Sequence, residues 1–135
     1  MPVLFKQIAH SRWFQNFITT VIVLASVLVA MATFAHPLLG LKEVYGFYVP
    51  RTPLAFAVQH LGPLLNTNQS AGFATLGFAI ALHHVLSPRE SLRYRAIVAG
   101  AAVLLVVANL WAASRGGTAS LLVAAALVLA GEALS

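Results

Sequence analysis

From Phe14 to Ala35 the chain reads FQNFITTVIVLASVLVAMATFA, without a single charged residue. A hydrocarbon layer about 30 Å thick is crossed by about 20 helical residues, and in lipid the backbone must satisfy its own hydrogen bonds, which a helix does within one segment. Three further runs have the same character: 70–86, at the short limit, then 95–114 and 118–134. Hydrophobic residues make up 60% of the chain and charged residues only 8%, against about 25% charged in a soluble domain. A water-soluble fold and a disordered one are both excluded on that ground. The expectation is an all-α integral membrane bundle, one transmembrane domain over 1–135 with about four spans. With no cysteine, a disulfide scaffold and a thiolate metal site are excluded, and the redox compartment leaves no mark.

The net charge is +5, but the basic residues stand between apolar runs, a pattern of juxtamembrane anchoring rather than of a nucleic-acid groove. Lys6 and Arg12 flank the first span and Arg89, Arg93 and Arg95 follow the second, whereas Lys42, Arg51 and Arg115 lie on the opposite side. Cytoplasmic loops are richer in Lys and Arg, so the N-terminus is expected in the cytoplasm. The loop 36–69 and the connection 114–118 then share the outer face. The first span is too long for a cleavable signal peptide, and no small-residue cleavage site follows it.

In the outer loop, Leu54 to Leu65 is apolar but split by Pro63 and too short to span; it reads as a loop or half-helix at the interface. Tyr45, Phe47, Tyr48 and Phe56, with the prolines among them, predict an ordered interfacial belt. Small residues at Ala99, Gly100, Ala101 and Ala102, and at Ala124, Ala125 and Ala126, are expected to let helices approach closely in lipid.

Two polar clusters open helices on the outer side. Asn66-Thr67-Asn68-Gln69-Ser70 precedes the second span, and its Asn and Ser residues suit helix caps; a plain cap and loop is the simpler reading. Ser114-Arg115-Gly116-Gly117-Thr118 joins the last two spans. Its glycines permit a tight reversal and Thr118 can cap the next helix. Free N–H groups and the helix dipole favour an anion there, and the Arg115 guanidinium suits phosphate. The alternative is an arginine reaching lipid headgroups.

Five histidines raise a cofactor reading. His83 and His84 could ligate a haem or chlorophyll-type metal, but neighbours on a helix point about 100° apart and no second span offers an opposing histidine. Interfacial histidines beside the Arg89 loop are the favoured reading, with no metal and no cofactor. His36 and His60 fall in the outer loop, and His10 belongs to the basic flank. Glu132, the one acid in an apolar span, is expected to reach water near the C-terminus.

Three pieces in order carry a family resemblance. They are His36-Pro37-Leu38-Leu39-Gly40 with Val44-Tyr45-Gly46-Phe47-Tyr48, then Gly62-Pro63-Leu64-Leu65-Asn66-Thr67-Asn68-Gln69-Ser70-Ala71-Gly72-Phe73, then Ala113-Ser114-Arg115-Gly116-Gly117. From about His36 to Ala130 the chain resembles the O-antigen ligase and O-antigen polymerase superfamily of bacterial membrane glycosyltransferases. The resemblance implies a multi-pass protein of the bacterial inner membrane that binds a polyprenyl-diphosphate-linked glycan on the periplasmic face. Ser114, Arg115, Gly116, Asn66 and Asn68 would hold the diphosphate, with His36, His60 and Arg51 contributing from the outer loop. The family has ten or more spans and a large periplasmic loop carrying the arginines and histidine of the transfer step. This sequence stops one helix past Ser-Arg-Gly-Gly, and it has Gln69 and Ser70 where the family often differs. It is therefore expected to be a fragment or shortened relative, incomplete for catalysis, and no catalytic residue is assigned. Partners would be the glycan lipid, membrane lipids and other transmembrane subunits, with no nucleic acid. Two other readings stay open: a small accessory subunit of a larger membrane complex, and a His-ligated pigment- or haem-binding protein.

Overall fold

A computed structural model of the chain describes residues 11–41, 43, 64 and 66–134. They form four helices: α1 (Arg12–Leu38), α2 (Thr67–Leu86), α3 (Leu92–Trp111) and α4 (Arg115–Ala133), with no strand among the described residues. The all-α expectation holds. The outer belt predicted around Tyr45, Phe47, Tyr48 and Phe56 lies outside the described residues.

Each helix starts two or three residues before the apolar run that announced it, because a side-chain cap sets the start. Ser11 accepts from the N–H of Phe14, Asn66 from Asn68, Ser91 from Tyr94 and Ser114 from Gly117. A cap satisfies one of the N–H groups that the first turn leaves without a partner, so polar residues at the border are drawn into the helix. The first helix also runs past its expected end at Ala35. It takes in His36 and Pro37 in its last turn. Gly40, at φ 63°, then closes the end, its N–H donating to the Pro37 carbonyl.

The connection before α4 corrects the sequence reading in two ways. Gly116 and Gly117 make no reversal; they lie inside α4. The chain turns at Ala112 and Ala113, and Ala113 takes a left-handed φ of 50°. Ser114, not Thr118, is the cap, while the Thr118 hydroxyl donates to the Ser114 carbonyl at 3.1 Å.

The helices alternate in direction, so the α1 and α3 ends meet the α2 and α4 starts at one end of the bundle. There the Phe34 and Trp111 rings meet edge to face at 5.8 Å. Helix α2 is central and packs against all three others. One core cluster joins Ala30, Ala74, Leu105 and Ala108, and a second joins Ala81, Val98 and Ala102. The close approaches are made by glycines of the central layer. A Cβ on Gly77 would overlap the Ser26 side chain of α1, and one on Gly117 would overlap the Cβ of Ala71. Gly100, expected at an interface, has open space where its Cβ would be, although Ala102 beside it joins the core.

Helices α1, α3 and α4 are each long and apolar enough to cross a membrane. Helix α2 is as long as α3, 20 residues, but falls outside that set. It carries Asn68, Gln69, His83 and His84 toward its ends. Its inward residues Ser70, Thr75, Gly77 and His84 are buried against its neighbours, whereas Asn68, Gln69 and His83 are exposed near its ends. Large apolar side chains point outward instead, among them Leu24, Leu28, Val103, Leu110, Leu122 and Leu127. That exposure would be a liability in water and is consistent with a membrane protein.

Candidate functional site

The two predicted polar clusters meet. The Ser114 hydroxyl, in a residue only 5% exposed, accepts from the N–H of Gly117 at 2.9 Å and donates to Asn68 Oδ1 at 2.7 Å. Two residues back, Asn66 Oδ1 accepts from the N–H of Asn68 at 2.9 Å. A hydrogen-bonded line thus ties the start of α2 to the start of α4 across 46 positions of sequence. Both helices offer their positive ends at this place.

Arg115 and Gly116 occupy the first two positions of α4, and both are exposed. The cap is spent on Gly117, so helix geometry leaves the N–H groups of Arg115 and Gly116 without an intrahelical acceptor. The Arg115 guanidinium forms no salt bridge among the described residues. A planar five-donor cation beside two open N–H groups can take an oxyanion in two-point contact.

His36 is a correction to the sequence reading. It lies in the last turn of α1, not in the outer loop, and is buried; its Nε2 sits 3.1 Å from the Glu43 carbonyl oxygen. Arg51 and His60 lie outside the described residues.

One buried residue went unnoticed in the sequence. Asn109 has no exposed surface, and its Nδ2 donates to the Ala71 carbonyl at 3.0 Å and to Thr75 Oγ1 at 2.9 Å. The Ala71 carbonyl can only accept, which fixes the amide orientation with nitrogen toward α2. The available signal was the one amide in the run AIVAGAAVLLVVANLW, since a polar side chain at membrane depth faces the bundle interior. Its Oδ1 and the hydroxyl of Ser70 are buried without a protein partner.

The opposite end gathers the histidines. They point apart, as helix geometry requires. His83 Nδ1 lies 2.6 Å from Glu132 Oε1 of α4, whereas His84 turns inward, its Nε2 3.4 Å from Thr19 Oγ1 and its Nδ1 3.6 Å from Glu90 Oε1. The Tyr94 ring meets His84 edge to face at 5.6 Å. His84 lies beside the Arg89 segment, as expected, but is buried, and Glu132, expected to reach water, pairs with His83 while its side chain stays 26% exposed. Among the described residues no three His, Cys, Asp or Glu side chains gather to hold a metal. Arg95 Nε donates to the Val85 carbonyl at 2.7 Å, closing the end of α2.

Comparison of the chain with protein-family models, with curated proteins and with solved structures finds no match.

Proposed function

We propose that this protein binds a polyprenyl-diphosphate-linked glycan at the Ser114 end of the bundle, as part of a membrane glycosyltransferase of the O-antigen ligase and polymerase kind. The observation that carries the reading is the 2.7 Å hydrogen bond from Ser114 to Asn68. It holds two helix starts side by side, with Arg115 exposed at the first position of one of them. A diphosphate brings concentrated negative charge, and helix starts and a guanidinium answer it with fixed partial and full positive charge. The polyprenyl tail lies in the bilayer, so the phosphates arrive at the depth of the helix ends. Stabilising the diphosphate as a leaving group is the chemical contribution such a site can make. The N-terminus and the Arg89–Arg95 segment face the cytoplasm of a bacterial inner membrane in this reading, supported by five Lys and Arg on that side against three on the other.

The test is titration of the purified protein with a truncated polyprenyl diphosphate. Arg115→Lys should bind more weakly because a point charge does not reproduce the bidentate fork, and Arg115→Ala more weakly still. Equal affinity in all three at matched folding removes the diphosphate site. One observation favours a second reading, a small accessory subunit packed in a larger membrane complex: α4 is the least buried of the three membrane-length helices, leaving most of it free for a neighbouring subunit.

A further inference from the structure

At the His83 end, the segment after α2 stands apart from the last turns of α4 and leaves an open groove of about 670 Å³. Leu127 and Val128 form an apolar wall, Gly131 lies beside them, and His83, Glu132 and Arg89 complete the lining. Leu127 sits four residues before Gly131, about 6 Å deeper into the bundle at the helical rise of 1.5 Å per residue. The groove therefore changes from polar at the bundle end to apolar toward the middle.

The charges in it are not equivalent. Glu132 Oε1 is engaged by His83 Nδ1 at 2.6 Å. Arg89 is exposed and forms no salt bridge among the described residues. A simple soluble anion would satisfy Arg89 and leave the apolar wall bare; an uncharged alkyl chain would do the reverse. An amphiphile with an anion at one end and a chain at the other meets both demands.

We infer that this groove binds one membrane glycerophospholipid, its phosphodiester on Arg89 and an acyl chain along Leu127 and Val128. A volume of about 670 Å³ falls within the range of small-molecule sites, about 300–1,000 Å³. The inference rests on the membrane character of α1, α3 and α4 and is independent of the diphosphate site, which lies at the other end and depends on other residues.

Gly131 provides a blocking variant that does not strain the fold. A Cβ added there meets nothing within 4 Å, so Gly131→Leu extends a side chain into the groove while α4 keeps its helical backbone. The full chain is purified in a neutral detergent, and lipid retention is read by native mass spectrometry with phosphatidylglycerol as probe. Wild type should retain one phosphatidylglycerol. Arg89→Ala should bind it about fivefold more weakly, the value of one basic residue near an anionic headgroup, and Gly131→Leu should lose it with unchanged helical content. Diacylglycerol, which has the chains without the phosphate, and inorganic phosphate, which has the reverse, should both be retained poorly. Equal retention of phosphatidylglycerol by wild type and both variants would overturn the proposal, as would diacylglycerol binding as well as the phospholipid. A dimer that Gly131→Leu dissociates would also overturn it, by showing that a second copy fills the groove.

Discussion

The Ser114 hydroxyl serves two helices at once, capping α4 through the Gly117 N–H and holding Asn68 of α2 at 2.7 Å. Loss of a serine cap costs about 1 kcal/mol, and here the same change also removes the hydrogen bond to Asn68. Ser114→Ala should therefore destabilise the bundle by about 2 kcal/mol, the cap plus one further hydrogen bond of about 1 kcal/mol. Asn68→Ala should cost about half as much, since the cap survives. Denaturation in mixed micelles checks the order, and equal losses from the two substitutions would argue against the shared hydroxyl.

Glycine to alanine in a helix interior ordinarily stabilises by about 0.5–1 kcal/mol. Two positions should reverse that rule and two should obey it. Gly77 and Gly117 face the Ser26 side chain and the Ala71 Cβ at overlapping distance, whereas Gly72 and Gly100 face open space. Alanine at 77 or 117 forces helices apart and should cost about 1–3 kcal/mol, the range for overpacking. Alanine at 72 or 100 should be neutral or stabilising. Thermal melts of the four single variants give the comparison directly.

Much of the architecture was legible in the chain. The charge-free run of α1 and the runs within α3 and α4 mark helices by hydropathy alone, because lipid imposes one demand along the whole length. The borders were less legible: the cap expected in the Asn66–Ser70 cluster is Asn66, but Ser91 and Ser114 gave no such sign until their side chains were seen bonded to the first turn. The central place of α2 could not be read at all. Its exposed polar ends lower its apolar character, and its buried Ser70, Thr75 and His84 are tolerated because protein surrounds them, which is tertiary information. In the candidate site, Asn68 and Ser114 were identified singly, but their union across 46 positions follows from packing. His36 was misplaced because the apolar run stops at Ala35, while the helix had one turn left to run.

Ala113 bears the sharpest backbone constraint among the described non-glycine residues, with φ at 50°. An L-residue in that region costs roughly 1–2 kcal/mol, which glycine escapes. Ala113→Gly should raise stability by up to about 1 kcal/mol, the gain being reduced by the greater freedom of glycine in the unfolded chain. Ala113→Val should lower it. A destabilised glycine variant would show that the turn is held in another conformation.

Orientation is open to a direct check because the chain has no native cysteine. Pro88 and Gly116 are exposed at opposite ends of the bundle, and the Gly116 Cβ position meets only Ser114 Oγ, at 4.0 Å. Single cysteines at these two positions should react with an impermeant maleimide from opposite sides of the membrane, residue 88 from the cytoplasm. Reaction of both from one side would show that α3 does not cross the membrane between them.

The buried amide of Asn109 offers the last and most discriminating measurement. Its Nδ2 bridges the Ala71 carbonyl and Thr75 Oγ1, while the Thr75 hydroxyl donates to the same carbonyl at 2.9 Å. The three groups form a buried polar knot between α2 and α3. Truncation to Asn109→Ala removes one donor and opens a void, so a loss of about 1–3 kcal/mol is expected, as for breaking a buried polar contact. The single value does not separate hydrogen bonding from packing. A double-mutant cycle with Thr75→Val does, because the coupling between the two sites isolates their pairwise interaction. Side-chain hydrogen bonds within membrane bundles couple by about 0.6 kcal/mol on average, and a coupling of that size or larger is expected. Zero coupling would mean that Asn109 contributes by volume alone, in which case Asn109→Leu, which fills the space without an amide, should equal or exceed the wild type in stability.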